Sequence, residues 1–188
     1  MIDDCPLCKE SKLNVGDKTD YGSVIIFKLG NENNGWFATL SPKTGGDPEK
    51  DFTVQLMPLL HLNHMSEISN NIDLAKNYGI AFSQISKSIK EIMEKEGRHN
   101  ENEEGVIRIG TYGKSKHLNE HFHIKIFPWT GKIGQPYTVD TTFEKSKIHL
   151  GEDGKEFIKL EPVRKIKINE ARLNDLSNKF ISRLKWEK

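Results

Sequence analysis

The sequence predicts an α+β domain with a mainly antiparallel sheet, one long helix and a C-terminal extension that ends in a helix. Short apolar runs bounded by turn residues occur in the first third of the chain and again near residue 120, as strands of a sheet require. A single long segment, 73–96, repeats its apolar residues at helical steps. A second amphipathic segment, 169–186, lies near the C-terminus.

Three strands are predicted before the long helix, at 22–28, 36–40 and 52–57. Each is a short apolar run that stops at residues typical of turns. A loop at 43–50 separates the second strand from the third. Pro58 ends the third strand, because proline has no N–H to donate to a strand ladder.

The segment 73–96 is predicted to be the principal helix. Asn71 suits the N-cap position and Gly97 the C-cap position. Lysine and glutamate fill the face opposite the apolar residues, so we expect the helix to cover the sheet with one side and to meet solvent with the other. The apolar residues that recur at three- and four-residue steps are Leu74, Tyr78, Ala81, Ile85, Ile89 and Ile92.

The most informative segment is the predicted strand 121–129, His-Phe-His-Ile-Lys-Ile-Phe-Pro-Trp. Because strand side chains alternate between faces, His121, His123 and Lys125 share one face and three apolar residues share the other. Two imidazoles and an ammonium in a row are groups that bind metal, attack phosphorus or neutralise phosphate. The alternative is a half-exposed strand whose outer face carries these residues without a site.

A fourth strand is predicted at 105–110, and a polar, glycine-containing loop at 111–120 joins it to the strand 121–129. Such a connection favours an antiparallel neighbour pair. The loop would then lie beside the histidine face, where Lys114 and Ser115 are placed to approach a phosphate. The alternative is that both side chains are simply solvated. Further extended segments are predicted at 141–149 and 155–160.

Cys5 and Cys8 form a Cys-x-x-Cys pair near the N-terminus. Two thiolates at this spacing chelate a metal ion and supply half of a four-ligand site. The remaining ligands must come from the seven histidines, among which His61 and His64 stand three residues apart. A redox pair and two unliganded thiols are the alternatives.

Composition narrows the function classes. The net charge of +1 gives no general indication of nucleic-acid or membrane binding. The longest apolar runs are too short to span a bilayer, and the acidic N-terminus has no apolar segment behind it, so no signal peptide is predicted. With two cysteines and no export signal, a cytoplasmic location is expected.

The order of these motifs resembles the histidine triad (HIT-like) superfamily of nucleotide hydrolases and transferases. Cys5-Pro-Leu-Cys8 resembles the N-terminal zinc knuckle of many members. The segment 61–68 resembles the family segment in which a histidine precedes the start of a helix. The segment 121–128 resembles the family's histidine-bearing strand, which a proline follows. The resemblance covers about residues 1–129. It implies a HIT-like domain at 1–150 with an extension at 151–188.

The resemblance implies a site with two functions. By analogy with the branch of galactose-1-phosphate uridylyltransferase and the diadenosine-polyphosphate phosphorylases, a structural zinc is held by Cys5, Cys8, His61 and His121, with His64 as the alternative to His61. The middle triad residue is then the nucleophile, which attacks an α-phosphate and forms a nucleotidyl-histidine. The catalytic residues implied are His123, Lys125, which neutralises phosphoryl oxygens in place of the third histidine, and Ser115. An alternative register takes Asn119, His121 and His123 as the triad.

The substrate-binding residues implied by the resemblance are Phe37, Thr39, Arg108 and Lys114. Thr39 stands near the position of an acidic ribose-binding residue, and Arg108 stands where the family has asparagine. The implied partners are a nucleotide, a nucleotide sugar or a dinucleoside polyphosphate, together with a second copy of the chain in a homodimer; nucleic acid and membranes are not expected. The alternative function is a zinc-stabilised nucleotide-binding or interaction module without turnover. A third candidate function is nucleic-acid binding through the basic tail, but the net charge of only +1 argues against it.

Overall fold

The structure is a computed structural model that describes residues 5–98, 108–114, 120–129, 143–162 and 165–184. These residues form an α+β fold in which the paired strands are antiparallel, as predicted. In chain order the elements are α1 (Pro6–Glu10), β1 (Val24–Leu29), β2 (Trp36–Leu40), β3 (Lys43–Thr44), β4 (Val54–Pro58), a 3₁₀ helix (Met65–Asn70), α2 (Ile72–Lys95), β5 (Arg108–Lys114), β6 (His123–Trp129), β7 (Phe143–Leu150), β8 (Glu156–Pro162), β9 (Ile166–Lys167) and α3 (Glu170–Arg183).

The main sheet has five strands in the order β1-β2-β4-β6-β5. Its alternating side chains divide between two covered faces. One face packs against α2, where Leu56 of β4 and Ile124 of β6 join Ile85 and Ile89 of the helix in the principal core. Phe122 and Ile126 belong to the same core, which confirms the predicted inward face of the segment 121–129. The opposite face carries the polar residues described below.

The helix α2 matches its predicted limits to within one residue at each end. The Asn71 side chain accepts hydrogen bonds from the backbone N–H groups of Asp73 and Leu74, as an N-cap residue does. At the other end Gly97 adopts a positive φ of 65°, a conformation that glycine reaches without steric cost. Within the described residues, no helix is both long and apolar enough to cross a bilayer.

Two boundaries near the histidine strand differ from the prediction. β5 continues to Lys114, so the residues 111–114 that were predicted as a loop are paired with 123–126 of β6. β6 begins only at His123, because the backbone N–H of Phe122 donates to the carbonyl of Leu62 at 2.7 Å. The residues 99–107, which include the start of the predicted fourth strand, lie outside the described part of the chain.

The segment 43–50, predicted as a loop, contains β3, which pairs with β9 near the C-terminus. The local sequence gave no indication of this pairing because the two partners are far apart along the chain. β7 and β8 form a hairpin that overlaps the predicted segments 141–149 and 155–160. The predicted C-terminal helix is α3, whose Phe180 packs edge-to-face on Phe52 with ring centroids 5.7 Å apart. The domain boundary expected at residue 150 stays a prediction.

An ion network fastens α3 to the C-terminal end of α2. The Glu96 carboxylate accepts hydrogen bonds from Arg172 at 2.6 Å and 2.9 Å and from Lys179 at 3.2 Å. Burial acts to raise the pKa of Glu96, but the hydrogen bonds and charges of Arg172 and Lys179 outweigh it and lower the pKa overall. A carboxyl with a lowered pKa stabilises the fold above its unfolded pKa, and that contribution is lost as the pH falls through the folded pKa.

We expect Glu96→Gln to lower the free energy of unfolding by about 1–3 kcal/mol at pH 7, because Arg172 and Lys179 would lose a partly buried charged acceptor. The difference from wild type should shrink as the pH falls below the ordinary glutamate pKa of about 4.3 and on through the lowered pKa of folded Glu96, because the carboxyl then becomes protonated. Urea unfolding at pH 7 and pH 3.5 measures both effects. Glu94→Gln is the matched control, since its exposed pair with Lys90 should contribute about 0.5 kcal/mol or less. Equal losses in both variants would contradict the assignment.

Candidate metal centre and adjoining cleft

Two cysteines and two histidines from three distant parts of the chain lie close together. The ligand atoms of Cys5, Cys8, His61 and His121 all lie within 4.8 Å of one another. Nδ1 of His121 is 3.7 Å from the Sγ of Cys5 and 3.4 Å from the Sγ of Cys8. The Sγ of Cys8 is also 3.2 Å from Nδ1 of His61. These are the four residues that were predicted as ligands, and together they are able to hold a metal ion.

Three of the six distances between these ligand atoms are close to those of tetrahedral coordination. With metal–sulfur bonds of about 2.3 Å and metal–nitrogen bonds of about 2.0–2.1 Å, tetrahedral ligand atoms stand about 3.4–3.8 Å apart. The three sulfur–nitrogen distances, 3.2, 3.4 and 3.7 Å, lie in or near that interval. Four protein donors would fill such a site and leave no open position for a substrate.

Both histidines are oriented for ligation through Nδ1. Nε2 of His121 lies 2.9 Å from the carbonyl oxygen of Pro58, and Nε2 of His61 lies 3.2 Å from Oδ1 of Asn63. Each of these oxygens accepts a hydrogen bond, so each Nε2 carries the proton and each Nδ1 presents its lone pair to the thiols. Partners of this kind hold the ring of a metal ligand in place.

Burial supports the same protonation state at His121. The pKa of His121 is lowered to about 4, chiefly because burial removes solvent from the ring. The hydrogen bond to the Pro58 carbonyl acts to raise this pKa, whereas the nearby His61 and His123 lower it further. The imidazole is therefore neutral near pH 7, which is the form that binds a metal. His64 is exposed at the start of the 3₁₀ helix, where its backbone N–H donates to Glu67 at 2.8 Å, and it lies outside the cluster.

The cysteine-bearing helix is also held by contacts that need no metal. Pro6 occupies the first turn of α1, where a missing N–H costs nothing. The ammonium of Lys28 on β1 donates to the carbonyls of Ser11 at 2.7 Å and Leu13 at 3.0 Å, just after the helix. Leu7 and Leu13 pack on a small buried cluster formed by Ile25, Phe37 and Met57. These contacts bring the thiols to the sheet, where the histidines complete the cluster.

A cleft of about 670 Å³ adjoins the metal cluster on the sheet face opposite α2. His121, His123 and Lys125 line it in a row, as the alternation of the strand predicted, and neighbouring residues in that row are about 6–7 Å apart. All three are buried rather than half-exposed, at 1%, 6% and 5% exposure. α1 forms one wall of the cleft, and β3 with the segment before β9 forms another.

His123 is oriented by the backbone of its neighbour. Its Nδ1 lies 3.2 Å from the carbonyl oxygen of His121. A carbonyl only accepts, so Nδ1 carries the proton and Nε2 carries the lone pair. His121 therefore links the metal cluster to His123. Its Nδ1 belongs to the cluster, and its carbonyl oxygen accepts the hydrogen bond that orients the His123 ring.

The other predicted site residues that the structure describes lie in different parts of the sheet. Phe37 is fully buried beneath α1 in the small apolar cluster. Thr39 is fully buried beside Gln55 on the cleft face, and its Oγ1 has no hydrogen-bond partner in the described structure. The backbone of Lys114 pairs with that of His123, whereas Arg108 pairs with Trp129, about 20 Å along the ladder. Ser115 lies outside the described residues.

Several cleft residues were not found from the sequence. Gln55 is a polar residue inside an otherwise apolar strand, and that interruption was the available signal. Lys43 and Lys165 reach the cleft through the pairing of β3 with β9, for which the local sequence carries no signal. The other charged or aromatic residues in this group are Glu10, Tyr21 and Glu120.

Comparison with known proteins assigns no family to the chain. No protein-family model matches it. No curated protein and no solved structure matches it significantly.

Proposed function

We propose that this chain is a HIT-like enzyme that hydrolyses or transfers a nucleotidyl group through a nucleotidyl-histidine at His123. The observation that carries the proposal is the orientation of that imidazole. His123 lies in the cleft wall with Nδ1 committed to the carbonyl of His121, which leaves the lone pair on Nε2. The ammonium of Lys125 stands next along the same strand face, where phosphoryl oxygens need positive charge.

The proposed reaction has two displacements at the α-phosphorus. Nε2 of His123 attacks phosphorus, the N–P bond forms, and the P–O bond to the leaving group breaks with its electron pair on oxygen. The ring keeps its Nδ1 proton and becomes positively charged, and the His121 carbonyl stabilises that charge by accepting the hydrogen bond. Water, or a phosphate oxygen of an acceptor, then attacks phosphorus. The P–N bond breaks, the electron pair returns to Nε2, and the attacking water loses a proton to solvent.

We propose zinc as the metal of the four-residue cluster. Two thiolates and two imidazoles in a tetrahedral arrangement are a common structural zinc set. Bound zinc would hold α1 against the start of β6 and fix the position of the His121 carbonyl, and through it the His123 ring. In this proposal the metal positions the nucleophile and takes no part in bond making.

The alternative is a zinc-stabilised nucleotide-binding module without turnover. Two observations favour it: a lysine stands at the third triad position, and Thr39 offers no carboxylate for a ribose. The two functions differ in one measurable respect, because a module would bind a nucleotide and return it unchanged.

Incubation with nucleoside diphosphates, nucleotide sugars and dinucleoside polyphosphates, followed by chromatography of the products, tests the proposal. Attack at the α-phosphorus with hydrolysis yields a nucleoside monophosphate from every substrate class. Hydrolysis in ¹⁸O-labelled water identifies the phosphorus that is attacked, because a nucleotidyl-histidine places the label in the nucleoside monophosphate. Label that enters only the released phosphate would contradict the proposed site of attack. Nucleotide binding without any product would favour the module.

A further inference from the structure

Three lysines line one half of the cleft. Lys125 follows His123 on the cleft face of β6 and pairs with Gln55 of β4. Lys43 on β3 and Lys165 just before β9 lie at the end beyond it. Lys43 pairs with Lys167 across the β3–β9 ladder. Lys165 lies two residues before Lys167, so it is the diagonal neighbour of Lys43, and the Cα atoms of Lys43 and Lys165 are about 7–8 Å apart. Both lysines therefore lie at the same end of the cleft.

Two carboxylates also line the cleft. Glu120 directly precedes His121 of the metal cluster. The Glu10 carboxyl, in contrast, hydrogen-bonds to Thr19 and lies near Asp20, close to the segment that carries Tyr21. The three lysines outnumber the two carboxylates in the lining, and this excess of positive charge would attract an elongated anion.

The two lysines at the far end are anchored by the fold. Ile168, three residues after Lys165, is fully buried in the core, and its backbone N–H donates to the carbonyl of Pro42 at 2.9 Å. The backbone N–H of Lys43 donates to Oγ of Ser41 at 3.2 Å, and the Lys43 ammonium lies 5.2 Å from the centroid of the Tyr21 ring. The fold thus sets the backbone positions of both lysines at the wall of the cleft, and the Lys165 side chain extends from there as an exposed cation.

We propose that Lys43 and Lys165 form a second phosphate subsite, which binds a phosphoryl group attached to the one that His123 attacks. This inference rests on the proposed function and specifies its substrate class: the leaving group is itself a phosphate, as in a nucleoside diphosphate or a dinucleoside polyphosphate. When the P–O bond breaks, such a group departs as an anion and needs neutralising charge rather than a proton. An amine leaving group, as in a nucleoside phosphoramidate, would instead need a proton donor.

Calorimetric titration with inorganic pyrophosphate tests the subsite without requiring turnover. We expect Lys165→Met and Lys43→Met each to weaken pyrophosphate binding by about tenfold, since each removes one charge-assisted contact. Lys87→Met on the solvent side of α2 is the matched control and should bind as wild type does. Thermal unfolding of each variant checks that the fold is retained, and Lys165→Arg should restore most of the affinity. Pyrophosphate binding that is equal in wild type and both cleft variants would overturn the subsite.

A kinetic comparison tests the specificity that the subsite implies. We expect Lys165→Met to lower kcat/KM about tenfold for a nucleoside diphosphate and to leave it unchanged for the nucleoside phosphoramidate of the same base. An equal loss with both substrates would overturn the leaving-group assignment. If wild type turns over neither substrate, the proposed function fails, and the subsite then stands or falls on the pyrophosphate titration alone.

Discussion

Replacing His123 with asparagine is expected to lower kcat/KM for nucleotide substrates by a factor on the order of 10³ or more, because the amide cannot form the covalent intermediate. Loss of a nucleophile alone can cost as much as loss of the whole set of catalytic residues that act with it. Asparagine can still donate to the His121 carbonyl that now accepts from the ring. Nucleotide affinity should therefore change much less than turnover.

His64→Asn provides the matched control for this substitution. His64 is exposed, lies outside the metal cluster and precedes the 3₁₀ helix, where asparagine is an effective cap. Its turnover should equal that of wild type. Steady-state kinetics with equilibrium binding of a non-hydrolysable nucleotide separates the two effects. A His123→Asn enzyme that keeps more than a tenth of wild-type turnover would show that another group attacks phosphorus.

Removal of the metal is expected to release the N-terminal segment while the core persists. Purified protein should contain one zinc ion per chain, and Cys8→Ser should lose it, since the Cys8 sulfur contacts both histidines of the cluster. At a free zinc concentration of about 1,000 times Kd, the bound metal stabilises the closed segment by about 4 kcal/mol. The principal core draws its residues from the sheet, α2 and α3, so it does not depend on this stabilisation.

Hydrogen exchange measures this difference directly. After chelation the backbone amides of Lys9 and Ser11, which bond within the α1 turn, should exchange much faster. Amides of β2 and β4, which pair with each other at the centre of the sheet, should keep their protection. The contacts of Lys28 with the carbonyls after α1 should slow release without preventing it. Uniform loss of protection would show instead that the metal is needed for the whole fold.

The sequence was sufficient to predict those parts of the fold that depend on local patterns. The 3.6-residue period of α2 and the alternation of residues 121–126 both reflect one buried face, so their type and orientation could be predicted. The four residues of the metal cluster were also predicted, through the spacing of Cys5 and Cys8 and the positions of His61 and His121. The resemblance to a family supplied the choice of partners, which spacing alone left open between His61 and His64.

The remaining features depend on contacts between distant segments. The β3–β9 ladder joins two short polar stretches, and neither has the apolar run that indicates a strand. Without that ladder, nothing in the sequence connects Lys165 with His123. The burial of Phe37 likewise depends on a contact between distant segments: Leu7 and Leu13 pack on its cluster, and Lys28 holds the segment after α1 against β1.

Capture of the covalent intermediate is the most direct test of nucleotidyl transfer through His123. Wild-type protein would be mixed briefly with a radiolabelled nucleoside diphosphate, quenched in alkali, where phosphoramidate bonds survive, and digested for peptide mass spectrometry. We expect an acid-labile nucleotidyl adduct on His123, and no adduct in His123→Asn. A nucleotidyl adduct on any other residue, or turnover to nucleoside monophosphate by an enzyme that never forms one, would contradict it.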